Sequence, residues 1–337
     1  MQKLPSITVM IVTLNNERTI EACVKSIKNQ EYPRKNIEYL NIDGGSTDNT
    51  DKILRKYGFK IIKSRIPRDA EAQRGIGLQF ASHNLIASID ADNYLPNPQW
   101  LQQMVQPFMD DPKIVHANTI HYTYKKNDTL FNRYFALFGM VDPIVYYVGR
   151  PDRLPWYVKT WTLGKILKET AGYTSVEFDL DTLPTVGCNG VVYRRDILLK
   201  HAQSNPEQFL HIDIFADLVA KGYNRFAIVK NDVVHDTAVN LKTLMKKRVA
   251  FLKAYYLKVN TSGQKRRYLI YNPIKVQDIG RLLLFVLFTV TWIRPLIDSI
   301  RGYIVIKDIA WFLHPIMCWI YLYAYSVTTI RKIFIQR

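Results

Sequence analysis

The chain has 337 residues, 48% of them hydrophobic, enough for one large core or two modest ones, which excludes a fibrous or disordered polymer. It carries 46 Lys and Arg against 29 Asp and Glu, a net charge of +17, so its partners are expected to be anionic. Three widely spaced cysteines, Cys23, Cys188 and Cys318, fit neither a disulfide framework nor a zinc site.

Ile7 to Val12 is predicted as a buried strand. The apolar run to Leu14 stops at Asn15-Asn16-Glu17, too soon for a secretory h-region. Thr19 to Lys28 is predicted as a helix with Ile20, Cys23, Val24 and Ile27 on one face. Ile37 to Ile42 is a second strand, followed by the turn Asp43-Gly44-Gly45-Ser46 and a helix over Asn49 to Tyr57. Lys60 to Lys63 reads as a strand, Ala70 to Ser82 as a helix, and Leu85 to Ile89 as a strand ending in Asp90-Ala91-Asp92. Repeated β-α-β units imply an α/β fold with a parallel sheet covered by helices. Ligands of such sheets bind at the carboxyl ends of the strands, where Thr13–Glu17, Asp43–Asp48 and Asp90–Asn93 fall. Residues 115–185, rich in aromatics and proline, are expected to be irregular. Regular structure resumes with a strand over Val191 to Arg194, a helix over Ile212 to Lys221 ended by Gly222, and a strand over Phe226 to Val229.

Leu241 to Tyr256 is predicted as an amphipathic helix, with Leu241, Met245, Val249, Leu252 and Tyr256 on one face. From Thr237 to Gln277 there are ten Lys or Arg and no acidic residue, a pattern that suits the anionic cytoplasmic leaflet and makes nucleic acid the weaker alternative. Ile309 to Ile330 runs 22 residues without Asp, Glu, Lys or Arg, long enough for a spanning helix. Leu282 to Ile293 is shorter and reads as an amphipathic or re-entrant segment as readily as a second span. The expected organisation is a globular domain over 1–240, a basic juxtamembrane region over 241–278 and an anchor of one or two helices over 279–337, the globular part lying on the cytoplasmic face of the cell membrane.

Four motifs in order carry a family resemblance. They are Ile11-Val12-Thr13-Leu14-Asn15-Asn16-Glu17, Ile42-Asp43-Gly44-Gly45-Ser46-Thr47-Asp48-Asn49-Thr50, Arg74-Gly75-Ile76-Gly77 and Asp90-Ala91-Asp92. Together they resemble a membrane-anchored family 2 glycosyltransferase with the Rossmann-like GT-A fold. Gly44 stands where the family usually has a second Asp, and Gly75 where it has Asn. The resemblance implies a nucleotide-sugar donor, Mn²⁺ or Mg²⁺ as cofactor and inverting transfer. It also implies a metal- or diphosphate-contacting His at a late strand end, here His235. Gly187-Cys188-Asn189-Gly190 resembles the small-residue loop that lies near donor sugar and acceptor, which points to Gly187, Asn189 and Gly190. The family's Glu-Asp base pair is absent. Counting back from Gly222 puts His211 at its position, and Asp213 is the nearest carboxylate at the helix start.

The chemistry of such a reaction fits these residue types. A departing diphosphate leaves charge that a divalent ion with hard oxygen ligands neutralises. Asp92 is the expected direct ligand, with Asp90 on ribose or a metal-bound water. Asp43 can accept from a base N–H and Glu17 from ribose hydroxyls. Thr13 and Asn15 add short polar contacts, and Arg74 offers charge to the base edge or diphosphate. One general base must deprotonate an acceptor hydroxyl. Asp213 is the choice, with His211 in reserve. The charge and anchor suit a polyprenyl-linked acceptor; the alternatives are a polyprenyl-phosphate sugar synthase or a non-catalytic nucleotide-sugar-binding protein.

Overall fold

The computed structural model describes residues 3–236, 240–253, 268 and 275–335. In chain order the strands are β1 Ile7–Thr13, β2 Ile37–Asp43, β3 Lys60–Lys63, β4 Leu85–Asp90, β5 Asn93–Tyr94, β6 Ile114–Tyr122, β7 Lys165–Glu169, β8 Tyr173–Glu177, β9 Val191–Arg194 and β10 Arg225–His235. The helices are α1 Glu17–Lys28, α2 Thr50–Lys56, α3 Ala70–Phe80, α4 Trp100–Asp110, α5 Leu130–Phe138, α6 Pro143–Tyr147, α7 Arg195–His201, α8 His211–Ala220, α9 Leu241–Phe251, α10 Val276–Thr291, α11 Ile293–Val305 and α12 His314–Ile335. The chain divides into two units, one of residues 1–123 and 161–236, the other of 124–160 and 237–337.

The first unit is built on one mixed sheet in the order β3-β2-β1-β4-β9-β6-β10-β8-β7, with β5 paired to β10. As expected, β3, β2, β1 and β4 run parallel. β1 is central and covered on both faces, which is why it reads as an unbroken apolar run. All four residues predicted for the inner face of α1 are buried. Helix α3 lies close to the sheet and to the segment before α8 because it carries glycines. A Cβ on Gly77 would stand 2.1 Å from Met10 Sδ, and one on Gly75 would stand 2.9 Å from Pro206 Cα. A side chain at Gly75 would force Pro206 or Phe209 to shift.

The middle of the chain is more regular than expected. β6 occupies Ile114–Tyr122 inside the sheet. Its polar residues His116, Asn118 and Thr119 are buried, the His116 ring lying 4.6 Å from Phe215 and 5.3 Å from Phe226. β10 also runs well past Val229. It shifts register against β6 between Val229 and Asp232, then pairs its last residues with β5.

The second unit has its own core of Tyr134, Phe135, Leu137 and Phe138 from α5, Leu244 from α9, and Trp311, Met317 and Tyr321. Residues 124–160, expected to belong to the globular domain, cluster here with the C-terminal helices. The run Ile309–Ile330 does not form one helix. A 3-10 turn, Ile309–Leu313, is capped by Asp308 and gives way to α12, whose Met317, Cys318 and Tyr321 are buried in this unit's core. Among the described residues no single helix is long and apolar enough to cross a membrane; α10 and α11 pass that test only as a pair bent by 77°. Of the basic stretch, residues 237–239, 254–267 and 269–274 lie outside the described residues, and with them Tyr256 of the predicted amphipathic helix.

Candidate active site

Parallel register brings the ends of β1, β2 and β4 together: Thr13 is aligned with Asp43, and Val12 with Asp90. The loops after β1 and β2 are tied by reciprocal bonds. Asn15 N donates to Ser46 Oγ at 2.9 Å, and Asn15 Oδ1 accepts from Thr47 N at 2.8 Å. Glu17 N donates to Asp48 Oδ2 at 3.0 Å, and Glu17 Oε1 accepts from Asn49 Nδ2 at 2.6 Å. Asn15 takes φ 53°, a left-handed conformation that Asn tolerates. Asn15 and Glu17 stay exposed at this edge.

Asp43 does not. It is fully buried and holds its own turn, accepting from Gly45 N at 2.9 Å, Ser46 N at 3.0 Å, Thr13 Oγ1 at 3.3 Å and Lys63 Nζ at 2.8 Å. Burial alone would raise its pKa, but Lys63 and the Ser46 and Gly45 donors outweigh it and keep the carboxyl low. Its expected contact with a base N–H is replaced here by turn-holding, because every oxygen is already engaged. At Gly44 a Cβ would stand 2.1 Å from Gln73 Nε2. The Gln73 amide fills the space that an acidic side chain there would need.

The acidic turn after β4 meets the end of β10. β5 pairs Asn93 with His235, and Asp236 N donates to Asp92 O at 2.9 Å. His235 Nε2 then lies 3.7 Å from Asp92 Oδ1, with the His235 ring 5.1 Å from that of Tyr122. The two residues expected to share a metal, 143 positions apart in sequence, are therefore neighbours. Asn189 joins the same edge through Nδ2, which donates to Tyr122 Oη at 3.0 Å. Gly190 takes φ 67°, and its N–H donates to Ser88 O at 2.9 Å. Gly187 lies in the same loop, half-buried.

Arg74 is buried rather than free for a ligand. Its guanidinium pairs with Glu71 Oε1 at 3.0 Å and with Asp90 Oδ1 at 2.7 Å. Glu71 in turn holds His211, whose Nδ1 lies 2.8 Å from Oε2. Asp213 is buried in the first turn of α8, and Asp217 accepts from Gln203 N at 3.1 Å.

Residues 8–163 match the Glycosyl transferase family 2 model. The N-terminal part of the chain is a family 2 glycosyltransferase domain. Among curated proteins it is similar to the glycosyltransferase AglE of Haloferax volcanii, 27% identical over 142 residues, 41% of this chain and 46% of that one. It is also similar to WfaP of Escherichia coli, a UDP-Glc:alpha-D-GlcNAc-diphosphoundecaprenol beta-1,3-glucosyltransferase, 30% identical over 122 residues, 35% of this chain and 47% of that one. The match thus spans less than half of either relative. The solved structure of the mannosyltransferase PcManGT from Pyrobaculum calidifontis, in complex with GDP-Man and Mn²⁺, gives a TM-score of 0.56 at 14% identity, covering 99% of this chain and 89% of that one. The fold of this glycosyltransferase domain is therefore GT-A.

The side chains expected to hold a metal, Asp92 inside the family 2 match and His235 beyond it, stand side by side. No cluster of three His, Cys, Asp or Glu able to hold an ion occurs among the described residues. The 3.7 Å between Oδ1 and Nε2 lets one ion take both. An imidazole in the set disfavours Mg²⁺, which seeks oxygen in near-ideal octahedra, relative to Mn²⁺.

Sequence reading missed Glu71, Lys63 and Gln73. Glu71 looks like an ordinary acidic residue in a capped first turn, and only its burial beside His211 reveals otherwise. Burial by itself would raise Glu71, but His211 and Arg74 pull it down to about 2. Burial would lower His211, but Cys188 and Glu71 overcome it and push the ring up to about 10. The signs give a window. The contribution of Glu71 is complete above its ordinary 4.5 and lost as pH falls toward about 2. That of His211 is complete below 6.5 and lost as pH rises toward about 10. Urea midpoints of the wild type should fall between about pH 6.5 and about pH 10, and fall less in Glu71→Gln. Identical slopes in the two proteins would show that this pair does not set them.

Proposed function

We propose that this chain is an inverting glycosyltransferase that moves a sugar from a nucleotide-diphosphate donor to a lipid-linked acceptor at a membrane. The observation that carries the reading is the meeting of Asp92 with His235 at the carboxyl edge of the sheet. A Mn²⁺ ion bound there would neutralise charge on the departing diphosphate. Asn15 and Glu17 offer the nucleotide exposed polar groups, while Asp43 and Lys63 fix the turn beside them. Arg74 holds the Asp90 carboxylate in place for ribose or a metal-bound water. Gly187, Asn189 and Gly190 allow sugar and acceptor to approach the backbone closely. Asp213 takes the proton of an acceptor hydroxyl as it attacks the anomeric carbon. His211 is a poor base by comparison, since its Nδ1 is held by Glu71 and the ring stays protonated through neutral pH.

The acceptor class rests on two supports. WfaP acts on a diphosphoundecaprenol-linked acceptor, and a relative from Methanococcus voltae, 39% identical over 61 residues, on a dolichyl N-acetylglucosaminyl phosphate. Within the second unit, α10 and α11 expose Leu283 at 63%, Leu287 at 53%, Ile293 at 63% and Ile304 at 71%. This bent pair suits immersion in a bilayer, with the catalytic domain on the cytoplasmic face. A second reading, a polyprenyl-phosphate sugar synthase, is favoured by the missing Glu-Asp pair, because an ionised phosphate acceptor needs no base.

The test is a donor screen. The chain with Mn²⁺, with and without membrane lipid extract, is offered UDP-, GDP- and dTDP-sugars, and free nucleotide is followed. Metal-dependent release from one donor is expected. Tight binding of one donor without release under any condition would make the chain a nucleotide-sugar-binding protein instead.

A further inference from the structure

Helix α8 begins without a cap of its own, since Leu210 precedes it. The first N–H groups of a helix have no partner inside it. Here one is met from another helix. Glu71 Oε2, on α3, accepts from His211 N at 3.0 Å, and both Glu71 oxygens face His211 Nδ1, at 2.9 and 2.8 Å. A carboxylate at that end also suits the helix dipole. The same carboxylate pairs with Arg74, which reaches Asp90. Glu71 and Arg74 are 4% and 6% exposed. A continuous row of bonds therefore leads from the acidic turn after β4, through α3, to the first residue of α8.

We propose that Glu71 is a positioning residue that holds the start of α8, and with it Asp213, in fixed register with the turn Asp90–Asp92. Several charged groups in one buried row are a costly way to stabilise a helix contact, since apolar packing of the same volume often does as well. What the row adds is direction: each bond fixes an orientation as well as a distance. The catalytic consequence rests on the transferase reading, whereas the mechanical coupling does not, and the test separates them.

The full-length wild type, Glu71→Ala and Glu71→Gln are compared in two ways. Steady-state transfer with the donor identified by the screen should show kcat falling about 10²-fold in Glu71→Ala, the cost of a small misplacement of reacting groups, with donor KM little changed. Glu71→Gln, which keeps an acceptor for His211 N, should recover part of the loss. Hydrogen exchange with UDP or GDP plus Mn²⁺ should show residues 209–216 protected on nucleotide binding in the wild type and not in Glu71→Ala. If Glu71→Ala does not fold, Glu71→Gln carries both arms with smaller effects. Unchanged kcat in a folded variant, or kcat lost only in proportion to folded protein, overturns the proposal. So does nucleotide protection that is absent from the wild type or equal in all three proteins. Transmitted protection without any transfer would leave the coupling intact and remove the transferase reading.

Discussion

Asp92→Asn is expected to lower transfer by about 10²–10³-fold, the scale on which single groups that stabilise transition-state charge act. The substitution keeps the shape of the side chain, and the tie from Asp236 N goes to the backbone oxygen of residue 92 rather than to its carboxylate. Melting temperature should therefore hold while metal binding weakens. The checks are nucleotide release across a Mn²⁺ titration and Mn²⁺ affinity by electron paramagnetic resonance. With the Asp92 carboxylate gone, higher Mn²⁺ should rescue part of the rate. Turnover like the wild type at low Mn²⁺ would sink the metal assignment.

Asp213→Asn is the second large effect. Loss of a positioned general base costs about 10²–10⁴-fold. Asp213 lies buried in the first turn of α8. Donor affinity should be unchanged, because the edge proposed to bind the nucleotide is built from β1, β2 and β4. The expected result is a fall in kcat alone, measured with saturating donor and lipid acceptor. Full activity in Asp213→Asn would favour the synthase reading, in which the acceptor oxygen is already an anion.

The half of the sheet from β1 to β4 was legible because each strand is a short apolar run ended by polar residues, and each helix shows a single apolar face. β6 was not, because His116, Asn118 and Thr119 are buried by tertiary contacts and break the apolar pattern. The extension of β10 was hidden by the register shift that follows Val229. At the site, Asp92 and His235 were paired by resemblance and found adjacent. Asp43 and Arg74 were recognised as polar groups at the right edge, but their partners Lys63 and Glu71 were not. Those ion pairs join residues whose closeness follows from strand order and helix packing rather than local spacing. The grouping of residues 124–160 with the C-terminal helices is of the same kind. Tyr124 Oη bonds Asp308, and Tyr321 Oη bonds Val141 O, across about half the chain in each case.

The stitched loops after β1 and β2 have a thermodynamic consequence. Fixing one residue's backbone costs about 1–2 kcal/mol, and a binding site built on loose loops meets that cost each time a ligand arrives. Here Asn15 already holds Ser46 and Thr47, and Glu17 holds Asp48. The ordering cost is borne once, on folding, so this rim is preorganised. For the nucleotide proposed to bind there, more of the interaction free energy would then appear as affinity, and its release would be correspondingly slower.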